Sequence, residues 1–219
     1  MASTATEVGS SERRFKLVVL GATGVGKTCL TLRFVRGVFE DDQLPTIGAA
    51  YLTKSLRIRD PNGAATSYVF EICDTAGQER YESITPLYYR TAQAAIIAFD
   101  VNDKGSFSKA KDWLNRLRKE LDNPSMPIAL AANKFDADTT EVDMEEAESF
   151  AVENNMKLFR VSAKTGKNVE EMFNWLAQSL PPPPPASSEF SGLDGANGRS
   201  AIRPGVGGGA KKPSAEGCC

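Results

Sequence analysis

The octet Gly21-Ala22-Thr23-Gly24-Val25-Gly26-Lys27-Thr28 narrows the folds open to this chain more than any other stretch. Upstream, Phe15-Lys16-Leu17-Val18-Val19-Leu20 has the β-branched, apolar character of a buried strand, and downstream Leu30, Phe34 and Val38 recur at helical spacing. A glycine-rich turn between a strand and a helix brings backbone N–H groups up to phosphate oxygens. Lys27 is placed to reach the outer phosphates, Thr28 offers a hydroxyl to magnesium, and the helix end adds its positive dipole. Gly21, Thr23, Gly24, Val25, Gly26, Lys27 and Thr28, with Cys29 beside them, form the candidate phosphate-binding set. The ligand that this chemistry fits is a nucleoside triphosphate.

Among 219 residues there is no histidine, which removes the commonest general base, the commonest zinc ligand and every Ser-His or Cys-His nucleophile pair. Any hydrolysis here has to rest on positioning and charge stabilisation. The chain is 41% hydrophobic and 25% charged, enough apolar material for one folded core. Its formal net charge of -2 supplies no overall drive toward nucleic acid, and no basic patch stands out, so no nucleic-acid partner is expected. Cys29, Cys73, Cys218 and Cys219 make no paired framework, which suits a reducing, cytosolic setting. Neither a membrane-spanning run nor a signal peptide is expected, and Ala2 does not fit a myristoylation motif.

Strand-type runs also occur at Tyr51 to Arg59, Tyr68 to Cys73, Ala94 to Phe99, Ile128 to Ala132 and Leu158 to Val161. Phe107, Ala110, Leu114, Leu117 and Leu121 mark one helix face, and Val169, Met172, Phe173, Leu176 and Leu180 another. Alternation of this kind predicts an α/β fold: a mostly parallel six-stranded sheet with helices on both faces and ligand loops at the carboxyl ends of the strands. Pro61-Asn62-Gly63 is the expected hairpin turn, giving one antiparallel pair. Residues 1–14 are read as a flexible extension, and 15–180 as the folded domain. From Pro181 the composition changes to five consecutive prolines and then Gly, Ser, Ala and Pro, so 181–219 is read as a disordered tail.

Chemistry-bearing groups fall at the ends of the expected strands. Asp74 closes the run beside the octet's strand, where a second magnesium-directed oxygen is needed. Three and four residues further on, past Thr75 and Ala76, Gly77 offers an N–H to the terminal phosphate and Gln78 is the candidate that orients an attacking water. Asn133-Lys134-Phe135-Asp136 follows another buried run. The Asp136 carboxylate can accept from both the ring N–H and the exocyclic amine of guanine, donors that adenine lacks on that edge. Ser162-Ala163-Lys164 closes a further strand, so its backbone can reach the base carbonyl from the opposite side.

Taken together, these strings resemble a small GTPase of the Ras superfamily, and specifically a Rab, over roughly Phe15 to Leu180. Pro45-Thr46-Ile47-Gly48-Ala49-Ala50-Tyr51, Asp74-Thr75-Ala76-Gly77-Gln78-Glu79-Arg80-Tyr81 and Tyr88-Tyr89-Arg90 add to the phosphate and base motifs. The stretches Ile47 to Thr53 and Tyr89 to Ala95 are most similar to the early-endosomal, five-type Rabs. That resemblance implies a GTP/GDP switch with Mg2+, in which Thr46 binds metal and terminal phosphate in the triphosphate state and Phe39 packs near the guanine. Thr28, Thr46 and Asp74 would then serve the metal, Asp74 through water. Ile47, Gly48, Ala49, Ala50, Tyr51, Cys73, Tyr81 and Tyr88 would form the effector surface. It implies Cys218 and Cys219 as geranylgeranylated, and as partners an exchange factor, a GTPase-activating protein, a GDP-dissociation inhibitor, Rab escort protein with geranylgeranyl transferase, effectors, and a membrane reached through prenyl groups. The implied setting is the cytosolic face of early endosomes, with a monomeric domain cycling through the cytosol.

Two positions depart from the family pattern. Thr23 stands where Ras proteins carry Gly and Rabs often Ser, near the terminal phosphate. Cys73 stands where Rabs usually have Trp, leaving two aromatics, Tyr51 and Tyr88, of a usual three. Two other classes remain open from sequence. A phosphate-loop kinase or ATPase shares the octet, although it has no need of Asn133 to Asp136 and would require a lid insertion that the pattern lacks. A nucleotide-bound scaffold with little hydrolysis is disfavoured by Gln78 and kept open by Thr23.

Overall fold

The structure, a computed structural model, describes residues 12–59, 65–77, 86–121, 125–137 and 139–180. In chain order its elements are β1 (Glu12–Gly21), α1 (Lys27–Arg36), β2 (Ala49–Arg59), β3 (Ala65–Thr75), α2 (Pro86–Tyr89), β4 (Ala94–Asp100) and α3 (Lys104–Glu120). They continue as β5 (Ile128–Asn133), α4 (Met144–Glu153), β6 (Lys157–Arg160) and α5 (Val169–Ser179). The hairpin turn at Pro61-Asn62-Gly63, Gln78, Tyr81, and the tail with Cys218 and Cys219 lie outside the described residues.

One six-stranded sheet runs β2-β3-β1-β4-β5-β6. All pairs are parallel except β2 with β3, whose antiparallel register matches Tyr51 with Cys73 and Ala50 with Asp74. Residue alternation along the central strands divides the core in two. Phe15, Leu17 and Val19 of β1, with Ile96 and Ala98 of β4, face α1 and α5, where Phe34 stacks on Phe173. Val18 and Leu20, with Ile97 and Phe99, face α3 and α4 around Trp113, Leu114 and Leu117. Because both faces are covered, these strands read in sequence as unbroken apolar runs.

Helix ends depart from simple periodicity in two places. Gly37, at φ 72°, closes α1 in the left-handed region and donates its N–H to Arg33 O, so Val38 lies beyond the helix and is largely exposed. Helix α4 is not marked by the sequence pattern, since its buried residues are only Ala147 and Ala151; Asp143 caps it through the N–H groups of Glu145 and Glu146. At the amino end β1 starts at Glu12, three residues inside the segment expected to be flexible. Pairing with β3 from Glu12 opposite Ser67 explains that extension.

Candidate functional site

A cavity of about 490 Å³ opens at the carboxyl edge of the parallel strands, where β1 and β4 lead to either side of the sheet. The octet forms its floor. α1 begins at Lys27 with Gly26 as its N-cap, at φ 88° and without a side-chain cap. The first N–H groups of α1 therefore have no protein side chain to bond at the cap and are open to an anion. Thr23, Gly24, Gly26, Lys27, Thr28 and Cys29 line the cavity, whereas Gly21 and Val25 lie behind it.

Lys27 is buried, and its Nζ donates to Gly21 O at 3.0 Å and Ala22 O at 2.8 Å. Burial pushes its ammonium down to about 8, while the nearby Asp74 carboxylate pulls the other way. It therefore stays largely cationic at neutral pH. Gly77 packs so close that a Cβ there would stand 2.4 Å from Lys27 Nζ and 2.5 Å from Ala22 O. The absence of a side chain at Gly77 lets the end of β3 approach the phosphate loop.

Thr28 and Thr46 line one point of the wall, and buried Asp74 meets them from behind it. Thr28 Oγ1 donates to Asp74 Oδ2 at 2.6 Å and lies 2.7 Å from Thr46 Oγ1. Since the single Thr28 proton is spent on Asp74, Thr46 is the donor in the second bond. Asp74 Oδ1 is buried with no partner among the described residues. Burial raises its carboxyl, against the Thr28 hydrogen bond and the Lys27 charge. An orphaned hard oxygen beside two hydroxyls fits a magnesium ion, which takes few protein ligands and completes its shell with water and phosphate. Among the described residues no cluster of three or more His, Cys, Asp or Glu side chains competes for that role.

At the other end of the cavity stand Phe39, Asn133, Lys134, Asp136, Ala163 and Lys164. Asn133 is a buried strut: its Nδ2 donates to Val25 O at 2.8 Å and its Oδ1 accepts from Ala163 N at 3.1 Å. Ser162 does not line the cavity; its Oγ donates to Asp136 Oδ1 at 2.6 Å and so orients that carboxylate. Lys134, at φ 63°, pairs with Asp100 Oδ2 at 2.7 Å. The connector between α1 and β2 supplies Glu40, Asp41, Gln43, Leu44 and Pro45 to the rim, and Asn102 adds to it. Apart from Pro45, which belongs to the quoted string before β2, sequence reasoning did not single these out, because no motif marks a residue that reaches a pocket only through the path of a loop.

Of the expected effector surface, Ile47 is 78% exposed and Tyr51 72% exposed, and the Tyr51 ring meets Tyr88 edge-on at 6.4 Å between centroids. Gly48, Ala49 and Ala50 are half-buried. Cys73 corrects the expectation: it is only 5% exposed, sunk beneath Tyr51 on the facing strand. Burial pushes its thiol up to about 11, against a hydrogen bond with Tyr51. A side chain as small as Cys leaves Tyr51 as the outer layer here.

A phosphate loop at the first strand-to-helix turn, a hydroxyl and carboxylate cluster beside it, and a carboxylate-lined base end define a phosphate-loop nucleotide-binding α/β domain. The family model of the Ras family matches residues 16–181, and the chain belongs to that family. It is accordingly a small GTPase switch, of a family whose members bind GTP and GDP with Mg2+, hydrolyse GTP and answer to regulators and effectors.

Proposed function

We propose that this chain is a Rab-type switch of the early-endosomal kind, recruiting effectors in its GTP state to regulate vesicle traffic and endosome fusion. The observation that carries the nucleotide part is one cavity lined by Lys27, Thr28, Thr46 and Asp136, with the Asp74 carboxylate bonded to Thr28 behind its wall. Lys27 and the α1 N-terminus hold the phosphates, Asp136 reads guanine, and Phe39 flanks the base. Thr28 and Thr46, with Asp74 behind them, would hold magnesium, which neutralises phosphate charge when bound. Gln78 orients the attacking water. Thr46 and Gly77 sit on the two loops that a terminal phosphate would tether, so its loss frees both.

The Rab and endosomal part is supported by the strings Ile47 to Thr53 and Tyr89 to Ala95, and by Cys218-Cys219 as a site for two geranylgeranyl groups. Two lipid chains anchor stably where one does not. No described helix is long and apolar enough to cross a bilayer. Escort protein, transferase and dissociation inhibitor follow as partners of such an ending, and the early endosome as the membrane. The test is the nucleotide released by denaturing the purified full chain and its turnover with magnesium. Guanine nucleotide slowly converted to GDP supports the proposal, and adenine nucleotide would end it.

Thr23 is exposed and lines the cavity within the phosphate loop. It is expected to slow intrinsic hydrolysis by crowding the attacking water. Single-turnover assays of Thr23→Gly should run a few-fold faster than the parent, a change of roughly 1 kcal/mol in barrier. Equal rates would dismiss the crowding.

Cys73 is expected to alter the choice of effector by letting Tyr51 sit over a small side chain. Cys73→Trp should lift or displace Tyr51 and change the proteins retained by the GTP-loaded chain. An unchanged set of retained proteins would count against this role.

A further inference from the structure

Arg33, on the last turn of α1, touches two segments that line the base end of the cavity although it does not line it itself. Its Nε donates to Ala163 O at 2.7 Å, and its terminal nitrogens donate to Lys164 O at 2.5 Å and Gly37 O at 2.8 Å. On its other side the guanidinium carbon lies 5.9 Å from the centre of the Phe39 ring, a cation–π distance. Phe39, Ala163 and Lys164 all line the cavity. One rigid, planar fork thus connects the helix end, the aromatic wall and the base loop.

We infer that Arg33 is a positioning residue for the base: by gripping the Ala163 and Lys164 carbonyls it aims the Lys164 N–H at the base carbonyl, and so sets how long a guanine nucleotide is retained. The inference rests on the guanine reading above. Its geometric core is peptide planarity. Ala163 C=O and Lys164 N–H belong to one trans peptide unit and point in opposite directions, so holding the oxygen toward Arg33 turns the N–H away from it. Ala163 N–H is already committed to Asn133 Oδ1, and Lys164 N–H donates to no acceptor among the described residues. Asn133 therefore braces the front of the Ala163 residue and Arg33 the back, with the Lys164 N–H turned away from Arg33. Lysine at this position would reach one carbonyl as a point charge and lose the fork.

The experiment follows release of fluorescent-labelled GDP from the full-length chain, with unlabelled diphosphates in competition. Arg33→Ala should speed GDP release by about ten- to a hundredfold, the effect of weakening one positioned hydrogen bond and its support. Arg33→Lys should fall between that variant and the parent. Inosine diphosphate keeps the base carbonyl and should lose affinity by the same factor as GDP. 2-Aminopurine riboside diphosphate lacks the carbonyl and should lose far less. Chelating magnesium should accelerate release by the same factor in parent and variant, since the phosphate end is untouched. Unchanged GDP release, or equal losses with and without the carbonyl, would overturn the assignment. Failure of the guanine reading would show separately, as a parent chain that does not prefer GDP to ADP.

Discussion

Replacing Asp136 by Asn is expected to weaken GDP binding on the order of a thousandfold or more, while a xanthine nucleotide binds as well as or better than before. The reason lies in the polarity of one edge. Guanine presents two donors there, the ring N–H and the exocyclic amine, and an ionised carboxylate accepts from both. Asparagine keeps one acceptor and turns the other position into a donor, so the amine faces an N–H with water excluded. Xanthine carries a carbonyl in place of the amine and matches the amide. Ser162 Oγ, 2.6 Å from Asp136 Oδ1, can donate to an amide oxygen as well as to a carboxylate, so the side chain need not leave its place. Displacement of a fluorescent nucleotide by GDP and by xanthosine diphosphate measures both affinities. Retained GDP affinity would mean that Asp136 does not read the base.

Residues that would touch a ligand directly were legible in the sequence, and those that hold them were less so. Strands β1, β4 and β5 were legible because burial on both faces demands unbroken apolar runs, and α3 and α5 because large side chains recur on one face. Helix α4 escaped because its fully buried residues are only Ala147 and Ala151, with Met144 and Phe150 half-buried beside them, so little periodic signal stands out among its glutamates. Val38 misled for the opposite reason: the spacing continued past Gly37, but the left-handed turn there had already ended α1. At the site, Lys27, Thr28, Asp74 and Asp136 could be assigned because their chemistry needs a particular residue type at a particular strand end. Asn133 and Ser162 were both read as parts of the base site; Asn133 lines the cavity while also bracing Val25 O and Ala163 N, and Ser162 stands behind it, on Asp136. Arg33 carries no motif at all; its role depends on a bond spanning 130 residues of chain.

That division between contact and support predicts the second large effect, at Gly26. A Cβ on Gly26 would stand 2.4 Å from Asn133 Nδ2, and the residue already sits at φ 88°, where alanine is disfavoured by about 1–2 kcal/mol. A side-chain nitrogen can often swing aside. Asn133 cannot do so cheaply, since it is buried and its amide is committed at both ends, to the phosphate loop and to the base loop. Moving it leaves Val25 O or Ala163 N buried without a partner, at about 1–3 kcal/mol each. Gly26→Ala is therefore expected to destabilise the nucleotide-free chain by about 2–5 kcal/mol, combining the backbone and hydrogen-bond costs. Nucleotide affinity should also fall, because both ends of the cavity depend on the same strut. Denaturant titrations of Gly26→Ala, Asn133→Ala and the double variant separate the causes. If the overlap with Asn133 is responsible, the cost of Gly26→Ala shrinks to the backbone component of about 1–2 kcal/mol once Asn133 is already Ala. A cost that stays the same in both backgrounds would place the whole effect in the backbone turn and remove Asn133 from the account.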